Sequence, residues 1–134
     1  MITAVDTNIL IDVLEPDPAF GPASRDALKR CLLEGSVVAC EIVWAEVAVA
    51  YGHAVERVVK AMDRMGIEYS AMASEATLEA ARCWYDYLKK GGDRRRIAAD
   101  FLIGGHASKQ ADRLLTRDKG FYRSYFKKLD VEAP

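Results

Sequence analysis

Apolar runs of four or five residues recur along this chain, and longer stretches with helical spacing separate them. That alternation constrains the fold more than any other feature. ITAV at 2–5 opens the series and SVVAC at 36–40 repeats it. IEYSA after Gly66 is a weaker third run, DRLLT at 112–116 a fourth and KKLDV at 127–131 a fifth. Helices are expected over 8–14, stopped near Pro16 and Pro18, and along PASRDALKRCLLEG, where Leu28, Cys31 and Leu32 share a face and Gly35 ends the element. Further helices are expected at 42–51 and 53–65, parted near Gly52, at 74–90 with Ser74 as N-cap and Gly91–Gly92 as stop, and at 95–109. Strands that alternate with helices pair mostly in parallel, with the helices covering the sheet. The expectation is one α/β domain over 1–134, a three-layer α/β/α fold around a mostly parallel sheet of four to five strands.

Composition narrows the class. At 134 residues the chain buries a core without staples, and with 51% apolar and 29% charged residues it reads as globular. A formal net charge of −1 means that any contact with nucleic acid must come from a local basic patch. Cys31, Cys40 and Cys83 are scattered without a C-x-x-C pair, which argues for reduced, buried thiols. Beside them stand only His53 and His106, so a structural zinc site is not expected. No signal-peptide pattern precedes Asp6, and no apolar run approaches the ~18–20 residues of a membrane span, so a cytoplasmic protein is expected.

Four carboxylates occupy unusual places. Asp6 ends the first strand, where it serves either as a helix cap or as a site residue at the carboxyl edge of the sheet. Glu46, in EIVWAEVAVAYG, has Ile42, Val43, Val49 and Ala50 as its helical neighbours. It therefore points with the apolar stripe rather than into solvent. Asp100, in RRRIAADFLIGGHASKQ, shares a face with Ile97, Ile103 and Gly104. Gly104 and Gly105 each cost a helix roughly 1 kcal/mol, which close approach of another backbone usually offsets. Asp118 follows the fourth strand in LLTRDKGF, beside Thr116, and on its own an Asp before a helix is most often a cap. If the strand order switches between strands one and four, these acids converge at one edge. Like charges crowded there are tolerable only with protons or a cation among them. Oxygen-only donors select a hard ion such as Mg²⁺ or Mn²⁺, which can polarise a phosphoryl oxygen and generate hydroxide near neutral pH.

VDTNILIDVL, WAEV, AADFLIGGHA and LLTRDKGF occur in the order and at the spacing of PIN-domain proteins, and the chain resembles their VapC toxin class over essentially its whole length. The resemblance implies a metal-dependent endoribonuclease, the toxin of a VapBC-type toxin–antitoxin pair. It implies that Asp6, Glu46, Asp100 and Asp118 hold Mg²⁺ or Mn²⁺ for phosphodiester hydrolysis, with Asn8 and Thr116 supporting them. It further implies RNA as substrate, homodimerisation and a small antitoxin partner. The chain departs from the pattern at Cys40 and Glu41, where many relatives carry Ser or Thr; Glu41 instead adds negative charge at a helix start. Two alternatives stand beside this reading. A haloacid-dehalogenase-type phosphatase also begins with an aspartate at the end of strand one, but wants a second Asp where this chain has Asn8. A non-catalytic PIN-like module would bind partners only, although all four acids are intact.

Other features are weighed on the same terms. Arg94, Arg95 and Arg96 form either a solvated turn or a contact to RNA phosphates near Asp100. GFYRSYFKK at 120–128 is expected to pack as a short amphipathic helix, with base stacking as the alternative. His106 lies six positions after Asp100 and faces elsewhere, so it is not expected to be a general base. Trp44, Trp84 and Tyr85 read as core or dimer contacts, and MDRMGIEYSAM as core packing by default, with a dimer or antitoxin surface as the alternative.

Overall fold

A computed structural model describes residues 1–52, 55–93 and 98–134. Among the described residues five strands run in parallel: β1 (Ile2–Val5), β2 (Ser36–Ala39), β3 (Ile67–Tyr69), β4 (Arg113–Leu115) and β5 (Asp130–Glu132). Their order across the sheet is β3-β2-β1-β4-β5. The connections place α1 (Thr7–Leu14) and α2 (Gly21–Glu34) between β1 and β2, and α3 (Glu41–Ala50) and α4 (Val55–Met65) between β2 and β3. Next come α5 (Ser74–Lys89) and α6 (Ala98–Gln110) before β4, and the short α7 (Lys119–Tyr125) before β5. The α/β/α layering and the parallel sheet match the sequence expectation.

β1 and β4 lie side by side, with Thr3, Ala4 and Val5 opposite Arg113, Leu114 and Leu115. The chain leaves β1 towards β2 on one side and leaves β4 towards β5 on the other. The strand order therefore reverses between β1 and β4, which opens a crevice past their carboxyl ends. The strands are buried on both faces: Ala4, Val5, Val37, Val38, Leu114 and Leu115 all belong to the core. This explains why the runs read as continuous apolar stretches rather than alternating ones. Arg113 is the exception inside β4. It is buried, and its guanidinium donates to the Thr3 hydroxyl at 2.9 Å and to the Glu34 carboxylate at 2.5 Å.

Local chemistry accounts for most boundaries. α2 starts at Gly21 with Pro22 in its first turn, where a missing N–H costs nothing. It ends at Gly35, where a Cβ would collide with the Met1 carbonyl. α3 stops before Gly52, whose φ of +64° is the left-handed conformation that glycine adopts without strain. Two expectations shift. α5 begins at Ser74 itself, with Ala73 at the cap position and no side-chain cap. Gln110 of α6 takes over there, accepting from the Ala73 amide and donating to the Ala71 carbonyl, both at 2.8 Å. The last strand lies later than the KKLDV run, because the lysines belong to the turn between α7 and β5.

The two glycines inside α6 have distinct reasons. At Gly105 a Cβ would strike the Ala76 carbonyl and Ala80 of α5, so the close backbone approach expected there is observed. At Gly104 the neighbour is the Phe126 ring, a side chain rather than a backbone. Phe126 belongs to an aromatic cluster around the fully buried Phe101, with Trp84, Tyr87, Phe121 and Tyr125. Residues 120–125 thus pack as the short amphipathic helix expected, while 126–128 leave it, and Met62 is core. Trp44 packs against the core and donates to the Ala39 carbonyl, whereas Tyr85 is 65% exposed. All three cysteines are buried and free. Among the described residues no helix is long and apolar enough to cross a membrane.

Candidate active site

Asp6 is the first residue past β1, and its amide still pairs with the Leu115 carbonyl of β4 at 2.9 Å. It sits at the switch point with 5% of its surface exposed. Oδ1 accepts from the Thr7 amide at 2.7 Å, so Asp6 does cap α1. Oδ2 accepts from the Thr116 hydroxyl at 2.7 Å and from the Asn8 amide group at 3.3 Å. The two readings of Asp6 therefore coexist: one oxygen caps, and the other faces the end of β4.

Burial is the main reason that the Asp6 carboxyl is pushed up from 3.8 to about 6. The Thr116 and Thr7 hydrogen bonds pull it down, while the nearby charges of Asp100 and Glu46 push it further up. Thr7 joins Glu46 to Asp6 through hydrogen bonds, and Asp100 acts on Asp6 through its charge. Glu46 is half-buried on α3 and accepts from the Thr7 hydroxyl at 2.7 Å. Asp100 is half-buried in the first turn of α6, where the helix dipole favours a negative charge. Asp118 joins through the backbone: its amide donates to the Thr116 hydroxyl at 2.9 Å. It holds the N-cap position of α7 but does not cap that helix with its side chain.

Thr116 is fully buried and central to this network. Its hydroxyl donates to Asp6 and accepts from the Asp118 amide, with Asn8 at 3.5 Å. Asn8 also accepts from the Arg117 amide at 3.2 Å. Asn8 and Thr116 thus both donate to Asp6 Oδ2. Arg94, Arg95 and Arg96 lie outside the described residues. Among the described residues no group of three His, Cys, Asp or Glu side chains is closed up tightly enough to hold a metal ion. The donor set at this edge consists of oxygens alone, the chemistry that suits a hard divalent cation.

Three residues near this edge were not singled out in the sequence. Thr7 links Asp6 to Glu46. Asp12 of α1 is 3% exposed and accepts two bonds from the Arg117 guanidinium, at 2.7 and 3.1 Å. It also accepts from the Ser24 hydroxyl at 2.7 Å. Arg117 stands between Thr116 and Asp118, so this bidentate pair fastens the β4–α7 loop to the helix that Asp6 caps. The signal was available: Asp12 is an acid within ILIDVL, the same anomaly that drew attention to Glu46.

His106 is buried, and its Nε2 lies 2.9 Å from the Ser70 hydroxyl, which ties α6 to the segment after β3. Burial lowers its pKa. Glu41, at the departure from the family pattern, accepts from the Met72 amide at 3.0 Å.

Comparison with known proteins gives a consistent picture. The PIN domain family model matches residues 3–127. No curated protein matches the chain. Among solved structures, VapBC2 from Rickettsia felis, bound to a DNA fragment from their promoter, superposes with a TM-score of 0.74 at 21% identity, covering 99% of this chain and 98% of that one. VapBC-1 from nontypeable Haemophilus influenzae gives 0.72 at 20% identity over the same shares. A toxin–antitoxin complex from Klebsiella pneumoniae gives 0.67 at 19%, covering 97% and 95%.

Proposed function

The chain belongs to the PIN-domain family, and from that premise we propose that it is a metal-dependent endoribonuclease of the VapC class, the toxin of a toxin–antitoxin pair. The observation that carries this reading is Asp6: a carboxyl buried at the switch point, raised to about 6, with the charges of Asp100 and Glu46 adding to the effect of burial. Such a group is poorly placed to be a bare structural anion. It is well placed to share a divalent cation with its neighbours.

Asp6, Asp100 and Asp118, with Glu46, would hold one or two Mg²⁺ or Mn²⁺ ions. Bound there, the ion would neutralise phosphodiester charge and lower the pKa of a water for in-line attack. The chain's own residues do the positioning. Thr116 fixes Asp6 Oδ2 and the amide of Asp118 through one buried hydroxyl. Asn8 bridges Asp6 and the β4–α7 loop. Thr7 holds Glu46 by its hydroxyl. Arg94, Arg95 and Arg96, a few residues ahead of Asp100, would contact RNA phosphates.

The family match leaves the phosphatase reading without support, and Asn8 acts as a donor to Asp6 rather than as a second acid. The partners in this proposal are a cognate antitoxin and a second copy of the chain, in the cytoplasm. Exposed apolar side chains on α3 and α4 (Val49, Val55, Val59) and on α5 (Leu78, Tyr85, Leu88) supply surface for such contacts. Cleavage of defined single-stranded RNAs with Mg²⁺, Mn²⁺ or EDTA tests the reading. Wild type is expected to cut only with metal, and Asp100→Asn is expected to be folded and inactive. Full cleavage by Asp100→Asn, or in EDTA, would refute it. A folded wild type that cuts no RNA would favour the non-catalytic module.

A further inference from the structure

A pocket of about 440 Å³ is lined by Phe20, Ala23, Ser24, Arg117, Ala133 and Pro134. It adjoins the acidic residues through Arg117, whose backbone amide bonds to Asn8 and whose chain neighbours are Thr116 and Asp118. Phe20 stands at the cap position of α2 with 48% of its surface exposed, although nothing in its local structure requires an aromatic ring there. The Arg117 guanidinium carbon lies over that ring, 4.1 Å from its centroid. A third of the Arg117 side chain is open to solvent.

The stack is held from below. Asp12 grips the guanidinium with two hydrogen bonds and is itself anchored by Ser24. A planar cation fixed on both sides loses little rotamer freedom when a ligand arrives. Its charge is also largely compensated, because Asp12 is paired to it at 2.7 Å. The side chains of Ala23, Ala133 and Pro134 contribute no charge to the walls. A phosphate would gain little from a cation already neutralised. A flat, polarisable ring would gain from the π-face and from the guanidinium plane.

We propose that this pocket is a nucleobase subsite: it takes the base of a single-stranded RNA nucleotide flanking the scissile phosphodiester, stacked on the Phe20–Arg117 platform. The inference rests on the nuclease reading and deepens it. The platform recognises a base by its face, so it orients the strand without dictating sequence. It gives the enzyme a grip on the nucleotide next to the acids, where phosphate contacts alone would leave the bond free to slide.

The test crosses a protein change with a substrate change. Phe20→Ala removes the ring and leaves the Asp12–Arg117 pair in place. An oligoribonucleotide with an abasic residue, placed in turn on the 5′ and 3′ sides of the cleaved bond, removes the base. With wild type, an abasic residue on one side is expected to raise KM about tenfold. Phe20→Ala is expected to raise KM on the intact oligonucleotide by a similar factor and to show no further loss on the abasic one. Phe20→Tyr should restore the intact value and Phe20→Leu should not, which separates the ring from apolar bulk even if Ala loosens α2. Additive losses, or unchanged KM in Phe20→Ala and Phe20→Leu, would overturn the subsite while leaving the nuclease intact. If wild type cuts no RNA in any metal, both proposals fall.

Discussion

Asp6→Asn is the substitution for which the structure gives a change of sign with pH. The wild-type carboxyl is raised from 3.8 to about 6, chiefly by burial. A raised acid favours the folded state when protonated. Its contribution is fully present below pH 3.8 and is lost as pH rises through about 6. At ~1.4 kcal/mol per pH unit, that displacement corresponds to ~3 kcal/mol, of which about 2–3 kcal/mol is lost between pH 4 and pH 8. Asparagine has nearly the same shape and carries no charge at any pH, so it escapes this loss. It has its own cost. One oxygen still accepts from the Thr7 amide, but the new NH₂ faces the Thr116 hydroxyl and the Asn8 amide group, both donors to Oδ2 in the native protein. That mismatch costs about 1–2 kcal/mol and does not vary with pH.

The net expectation is a crossing. In EDTA at pH 4, Asp6→Asn is less stable than wild type by about 1 kcal/mol; at pH 8 it is more stable by a similar amount. Urea unfolding followed by circular dichroism at pH 4, 6 and 8 measures this directly. The diagnostic quantity is the change in the difference between the two proteins. If that difference stays constant across the range, Asp6 titrates like an ordinary carboxylate, and the crowded edge from which the metal proposal starts is not there.

The remaining predictions concern the same edge and its support. Mn²⁺ or Mg²⁺ at pH 8 should raise the melting temperature of wild type, by an amount that grows with the logarithm of metal concentration, and should leave Asp6→Asn unmoved; equal shifts in both proteins would place binding elsewhere. Arg117→Ala strips the partner from a buried Asp12 and should cost about 2–4 kcal/mol at pH 7, less than a fully buried pair because Arg117 is partly exposed; a loss under 1 kcal/mol in denaturant unfolding would show the pair to be incidental. Gly105→Ala should destabilise by about 1–3 kcal/mol despite the better helix propensity of alanine, since its Cβ would meet the Ala76 carbonyl; a variant more stable than wild type would contradict that packing. Phe101→Ala, at the centre of the aromatic cluster, should cost about 3–5 kcal/mol in the same assay.

The fold was legible because its signals are local. Apolar runs at 2–5 and 36–40 are long enough to be strands and too short to be helices, and Gly35 and Gly52 end elements where their backbones need glycine. Boundaries failed where a distant residue took over a local role. Ser74 looks like a cap, yet Gln110 satisfies that end from another helix, and no pattern near residue 74 announces it. Arg113 is the same lesson inside a strand. Its burial is tolerable because Glu34, far off in sequence at the end of α2, arrives beside it.

The site divides along the same line. Glu46 and Asp100 were visible because an acid on an apolar helix face is costly unless something compensates it, and that cost is written in the sequence. What compensates it is not. Thr7 reaching Glu46, and Thr116 reaching Asp6, depend on strand order, which single-sequence periodicity does not encode. Asp12 marks the border between the two. As an acid within ILIDVL it carried the visible anomaly, but its meaning came only from Arg117, which β1–β4 pairing brings across the switch point. An anomalous carboxylate thus predicts that a partner exists before it predicts which one. In this chain the partner is a hydroxyl for Glu46 and a guanidinium for Asp12. For Asp6 three hydroxyl- and amide-donated bonds do not suffice to bring the carboxyl back to its ordinary value. Under the metal proposal, that residual imbalance is what a bound cation would balance.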